Sequence, residues 1–278
     1  MSAAPARTGQ ALSRRLVRGA RDAYLAVLDA RDRLLGRADE LTPPRALHFV
    51  GGGDFRAIGA AFLGHFRALG GLRPEHAVLD IGCGTGRMAV PLLGFLSPAG
   101  AYTGFDLTRA AIDWCAARIT ARNPRFRFVH ADIYNLEYNP AGAADAAGYA
   151  FPCADASVDF AFATSVFTHI HGPETRNYLA QLARVLKPGG RALLTFFLKP
   201  QAAVPADRPQ FAHRAGEGWT IDPVTPERAI AYDETWLRAQ AQAAGLAVDE
   251  PVRYGAWSGR ADPFDYQDIV MLRRPGAA

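Results

Sequence analysis

Cysteine is scarce in this 278-residue chain: Cys83, Cys115 and Cys153 stand far apart, with no Cys-x-x-Cys pair. That excludes a disulfide framework and a cysteine-based zinc site, and it suits a reducing compartment. Lysine is scarcer still, with only Lys187 and Lys199 among 31 basic side chains. The formal charge is only +4, and the arginines are scattered apart from those in the first 37 residues, so composition argues against a nucleic-acid partner. No apolar run is long enough to span a bilayer. The longest in the C-terminal half, Ala192 to Leu198, reads as a buried strand. The N-terminus lacks the apolar core of a secretory signal. The expectation is a cytoplasmic protein without a transmembrane segment.

Glycine and apolar residues are plentiful, and they organise the chain around Val78-Leu79-Asp80-Ile81-Gly82-Cys83-Gly84-Thr85-Gly86-Arg87. An apolar run, a tight glycine turn and apolar residues recurring at helical spacing from Met88 to Leu96 predict strand, turn and helix. Glycines there admit positive φ and let a ligand approach the backbone. Unpaired N–H groups at the helix start favour a polar ligand end. The next apolar run, Ala101 to Phe105, ends in Asp106, placed to accept hydrogen bonds from a ribose diol. Arg87 occupies the last glycine position of a dinucleotide fingerprint, which disfavours a nicotinamide dehydrogenase.

The ordered blocks VLDIGCGTGR, YTGFDL, HADI (His130 to Ile133), SVDFAFATSVFTHI (Ser157 to Ile170) and RVLKPGGRALLTFF (Arg184 to Phe197) resemble the motifs of class I S-adenosylmethionine-dependent methyltransferases. The resemblance runs from about Ala77 to the C-terminus. It implies an α/β fold: a doubly wound, Rossmann-like seven-stranded sheet, mostly parallel with an antiparallel last strand. It further implies S-adenosylmethionine as cofactor, held by Asp80, Gly82, Cys83, Gly84 and Gly86 of the glycine turn and by Asp106 and Leu107. Asp132 would accept from the adenine amine with Ile133 beside the ring, and Thr164 lies where the fourth strand opens onto the site. Asp132 also suits a helix cap.

Residues 1–72 read as an N-terminal helical extension or cap, and residues 73–278 as the cofactor-binding domain with a lid insert at about 200–228. Apolar residues three or four apart from Ala11 to Leu35 predict one amphipathic helix, broken by Thr42-Pro43-Pro44. Its early arginines admit three readings: a solvated face on a helix packed against the domain, adhesion to an anionic membrane surface, or a transit peptide. The packed cover is the expectation adopted. Phe49 to Phe55 reads as a glycine turn with Asp54 as N-cap, ahead of a helix to about Leu69. Helices are expected over Thr108–Arg122, Pro173–Leu186 and Glu234–Gly245, the last capped by Asp233. Strands are expected over Phe126–His130, Phe160–Ser165, Arg191–Leu198, Leu246–Val252 and Gln267–Leu272. The insert Tyr134 to Gly148 offers Tyr134 and Tyr138 to a substrate, and the proline-rich stretch Pro200 to Thr225 reads as a lid.

Within the resembled family, the segment after the fourth strand sorts the chemistry. Thr164-Ser165-Val166-Phe167 is not the Asn/Asp-Pro-Pro-aromatic motif of nucleobase amino-methyltransferases. No carboxylate stands there to hold magnesium, so no metal is expected, and the paired glutamates of arginine methyltransferases are missing. His169 could be a general base, with His171 a weaker candidate; packing at the helix entrance is the alternative role for His169. Cys83 is explained by small size. The expectation is methyl transfer to a small molecule, O-methylation favoured, on a natural product or surface glycan. An RNA methyltransferase and a non-catalytic cofactor-binding partner subunit stay open.

Overall fold

The computed structural model describes residues 6–47, 53–136 and 138–276, without side chains for 6–18. The apolar run Ala77–Ile81 forms β1, the centre of a seven-stranded sheet. It pairs in parallel with β2 (Ala101–Asp106) on one side and β4 (Val158–Ala163) on the other. β3 (Phe126–His130) lies outside β2, and β5 (Leu186–Phe196) outside β4, again in parallel. The sheet order is β3-β2-β1-β4-β5-β10-β9, with β9 at Ala247–Arg253 and β10 at Asp268–Arg273. β10 is antiparallel to both its neighbours, as the resemblance implied.

Both sheet faces are apolar because side chains alternate along each strand. Leu79, Ile81, Ala161, Ala163 and Leu194 pack on one face against α5 (Gly172–Val185) and α6 (Glu234–Ala243). Val78, Phe160, Phe162 and Leu193 pack on the other, where Phe66 of α2 (Phe55–Ala68) stacks on Phe162 at 4.2 Å. The short α3 (Ala89–Leu93) follows the glycine turn, and α4 (Arg109–Cys115) continues as a π-helical turn, Ala116–Thr120. Asp54 caps α2 as expected, accepting from Ala57 N at 2.8 Å. The preceding Phe49-Val50-Gly51-Gly52 lies outside the described residues. Asp233 takes the N-cap position of α6, but its side chain makes no cap hydrogen bond.

α1 (Ala6–Leu34) ends earlier than the Thr42-Pro43-Pro44 signal suggests. Gly36 adopts φ 65°, while Arg37 N–H bonds Asp32 O at 2.8 Å and Gly36 N–H bonds Arg33 O at 3.1 Å. That pair of bonds is a Schellman stop. Of the helix's apolar side chains, Tyr24, Val27, Leu34 and Leu35 are exposed, while Leu25 and Leu28 are half-buried. Ion pairs hold the helix's C-terminal half, with Arg45 bridging Asp29 and Asp32. The insert at 200–228 is not a featureless loop. With the residues that follow, it builds a second antiparallel sheet of β6 (His213–Ala215), β7 (Gly218–Thr220) and β8 (Ile230–Ala231).

Candidate active site

Strand order reverses between β1 and β4, and a doubly wound sheet opens a crevice at the carboxyl ends of such strands. Two lobes of a cleft lie there, sharing Gly82, Gly84, Asp106, Thr108, Thr164 and Ser165. The smaller, about 210 Å³, has Leu107 and Ile133 in its wall, Tyr134 and Tyr138 from the insert, and His169, His171, Glu174 and Glu227. The larger, about 390 Å³, is lined by Asp80, Cys83 and Arg87, by Ile58 and Phe62 of α2, and by Tyr266 and Gln267 ahead of β10.

The glycine turn owes its shape to left-handed backbone. Gly84 has φ 50°, and a Cβ built on it meets nothing within 4 Å, so its backbone faces open cleft. Gly86 has φ 78°, but its Cβ would stand 2.7 Å from Ile119 Cδ1. Gly86 therefore serves close packing on the α4 continuation and does not line the cleft, unlike the contact implied by resemblance. Phe105 O accepts from Gly82 N and Cys83 N at 2.9 and 3.0 Å, which ties the turn to the end of β2.

Asp106 braces the same turn. Its Oδ2 accepts from Gly84 N at 2.9 Å and its Oδ1 from Thr108 N at 2.7 Å. Burial pushes its pKa up, and those two N–H groups pull against the shift. Asp80 is 1% exposed, and its Oδ2 accepts from the Tyr102 hydroxyl at 2.5 Å. Its Oδ1 is buried with no hydrogen-bond partner among the described residues. Burial pushes the Asp80 pKa up to about 8, the Tyr102 bond opposing this and the Asp106 charge adding to it. An orphaned carboxylate oxygen, a glycine facing open space and a half-buried acid at the end of β2 fit a ligand with a cationic end and a diol.

Asp132 is exposed and lines neither lobe. The insert folds back on it: Asp132 O accepts from Ala143 N and Ala144 N, and its side chain accepts from Asn139 Nδ2 at 3.3 Å. Ile133 beside it is buried and does line the smaller lobe. Cys83 is buried and its thiol is pushed well above the usual range by burial, in keeping with a small wall residue. Among the described residues no group of three His, Cys, Asp or Glu side chains could hold a metal ion. No described helix is long and apolar enough to cross a membrane.

His169 stands half-buried in the smaller lobe. Its Nδ1 lies 2.7 Å from the backbone carbonyl of Glu227, and a carbonyl only accepts, so Nδ1 carries the proton and Nε2 the basic lone pair. The Tyr138 ring meets the imidazole edge-to-face at 5.6 Å between centroids. Glu227 lies in the 3-10 turn Pro226–Arg228 that leads into β8, and β8 is anchored by Ile230 N donating to Thr168 O at 2.7 Å.

Ser165, Gln267 and Glu227 are among the cleft residues that escaped the sequence reading. Ser165 has φ 58°, a costly conformation for a side-chain-bearing residue. It is held by its N–H to Thr195 Oγ1 at 2.8 Å and its hydroxyl to Gln267 Oε1 at 3.1 Å. Its place next to Thr164 was the available signal. Gln267 and Glu227 are remote in sequence, and only the pairing of β10 with β5 and the folded insert bring them in.

A family model described as a methyltransferase domain matches residues 79–194. The phthiotriol/phenolphthiotriol dimycocerosates methyltransferase of Mycobacterium tuberculosis is 35% identical over 113 residues, covering 41% of this chain and 34% of that protein. The O-methyltransferase cnsE of Penicillium expansum is 30% identical over 122 residues, covering 43% and 37%. The chain thus spans about a third of the length of the curated relatives it matches. A crystal structure of a SAM-dependent methyltransferase from Methanosarcina mazei aligns with a TM-score of 0.53 and 19% identity, over 78% of this chain and 98% of that one. That likeness is one of fold. The matched model identifies residues 79–194 as a methyltransferase domain, and the sheet order and the glycine turn are those of the class I S-adenosylmethionine-dependent methyltransferase fold.

Proposed function

We propose that the chain transfers a methyl group from S-adenosylmethionine to a hydroxyl oxygen of a small molecule, with His169 as general base. The observation that carries this is the 2.7 Å bond from His169 Nδ1 to the Glu227 carbonyl. It orients the imidazole and makes Nε2 the proton acceptor, in a lobe continuous with the glycine turn. The names of the matched relatives support a small-molecule acceptor, one of them being an O-methyltransferase.

When bound, the cofactor supplies an electrophilic methyl on sulfur. Everything else falls to the chain: to hold two reactants in line and to remove a proton. In this reading Asp80 Oδ1 takes the cationic amino end, Gly82, Cys83 and Gly84 let the tail approach the backbone, and Asp106 accepts from the ribose. Leu107 and Ile133 flank the base, and Thr164 lines the junction of the lobes. Gly86 supports the turn from beneath. An acceptor hydroxyl beside His169 would lose its proton to Nε2 as the carbon–oxygen bond formed and the methyl–sulfur bond broke, its electron pair leaving with the neutral thioether, while the Glu227 carbonyl would keep the resulting imidazolium in place. Residues 73–278 form the transfer domain, and α2 from the extension 1–72 walls the larger lobe.

The test is incubation with methyl-labelled cofactor and pools of hydroxylated metabolites, with product location by mass spectrometry. Label appearing as a methyl ether or ester supports the reading. Label only on nitrogen or carbon, or only on RNA in a parallel pool, contradicts it.

A further inference from the structure

The described part of α1 is an amphipathic helix with no covering partner on its apolar side. Tyr24 is 63% exposed, Val27 66% and Leu34 88%. Tyr24, Val27 and Leu34 lie along one side of the helix with Ala20, and Arg31 stands between Val27 and Leu34 on that side. An apolar stripe left in water is costly, at roughly 25 cal/mol per Å², and a stripe with no partner among the described residues marks an interaction surface.

Charge decides what that partner is. The helix carries seven arginines (Arg7, Arg14, Arg15, Arg18, Arg21, Arg31 and Arg33) against Asp22, Asp29 and Asp32, a net charge of +4. Two of the three acids are already answered from inside the chain. Arg45 forms ion pairs with Asp29 and Asp32, and Arg31 shares Asp32. These neighbours hold the Asp32 carboxyl below the usual range, the Arg45 hydrogen bond leading. Asp29 and Asp32 therefore anchor the helix to the segment that follows it, and the helix keeps its excess of arginine. A second copy would bring +4 against +4, so charge complementarity disfavours self-pairing. An anionic surface with an apolar interior matches both sides of the helix at once.

We propose that α1 is a membrane-surface anchor that lies in the plane of an anionic phospholipid bilayer, its Tyr24–Val27–Leu34 side in the acyl boundary and its arginines among the headgroups. The helix runs into the segment that ends at Leu47, in the wall of the larger lobe. Docking would thus bring the mouth of the cleft toward the bilayer surface, where an amphiphilic acceptor could be met.

The full chain is tested by flotation with vesicles of phosphatidylcholine containing about one third phosphatidylserine, against phosphatidylcholine alone. The expected result is recovery with the anionic vesicles at low salt and at least a tenfold drop in about 0.5 M salt, since exposed charges are then screened. Val27→Glu and Tyr24→Ser should each lower partitioning about tenfold while leaving the melting temperature unchanged, because neither side chain packs on the domain. Failure to float with anionic vesicles at low salt overturns the proposal. So does a large drop in melting temperature for Val27→Glu, which would mean that the face packs on the domain. A dimer in sedimentation that Val27→Glu dissolves, without lipid binding, would assign the face to a second copy and would also overturn it.

Discussion

The backbone carbonyl of Glu227 accepts a hydrogen bond from Nδ1 of His169 at 2.7 Å, tying the insert that carries the small second sheet to the histidine after β4. The bond fixes the tautomer of a half-buried imidazole, with the proton on Nδ1. The insert thereby reaches the candidate site through Glu227.

In the proposed reading Asp106 holds the ribose while its two oxygens brace Gly84 N and Thr108 N. Asp106→Ala should weaken S-adenosylmethionine binding by about 1.5–3 kcal/mol, the scale of a hydrogen bond to a charged group. Isothermal titration calorimetry reads this directly. Unchanged affinity in a folded variant would remove Asp106 from the site.

Gly84 and Gly86 should fail in different ways. A side chain at Gly84 enters open cleft, whereas one at Gly86 meets Ile119 Cδ1 at 2.7 Å. Gly84→Val should abolish cofactor binding, with a stability loss of about 1–2 kcal/mol from its positive φ. Gly86→Val should cost more stability, through packing as well as backbone. Melting curves with and without cofactor separate the two, and normal binding by Gly84→Val would make the turn purely structural.

The sequence exposed this part of the molecule well. β1, β2 and β3 are apolar runs closed by glycine or Asn-Pro signals, so their bounds could be read locally. The fourth strand was placed too late, at Phe160 to Ser165, because apolar content does not reveal that Ser165 has already left the strand with φ 58°. The second sheet was illegible: strands of two or three residues in a proline-rich stretch show no period. Glu227 and Gln267 could not be found from local pattern, since nothing near them in sequence points to the cleft. The apolar face of α1 was legible, but its position was not, because periodicity records a face without saying what covers it.

Asp80 makes both stability and cofactor binding depend on pH. Its folded pKa stands near 8 against an ordinary 3.8, so the folded protein binds the proton more tightly than the unfolded chain. The stabilisation is therefore full below the unfolded value and is lost as pH rises through the folded one. Asp80→Asn should flatten the fall in melting temperature between about pH 5 and about pH 8. A cationic ligand favours the ionised acid, so cofactor affinity should rise with pH over this range and binding near neutrality should release a proton. Calorimetry in buffers of different ionisation enthalpy detects that release; its absence would place the cationic end elsewhere.

The account turns most directly on turnover of His169→Ala with an acceptor found by the labelled-methyl screen, measured against pH beside the parent protein. Removal of the base should lower kcat by about 100-fold or more and erase the acidic limb of the profile, with the Kd of S-adenosylmethionine little changed. A variant that keeps full turnover and the same pH profile would contradict general-base catalysis by His169 and leave the imidazole a packing role against Tyr138 and the Glu227 carbonyl.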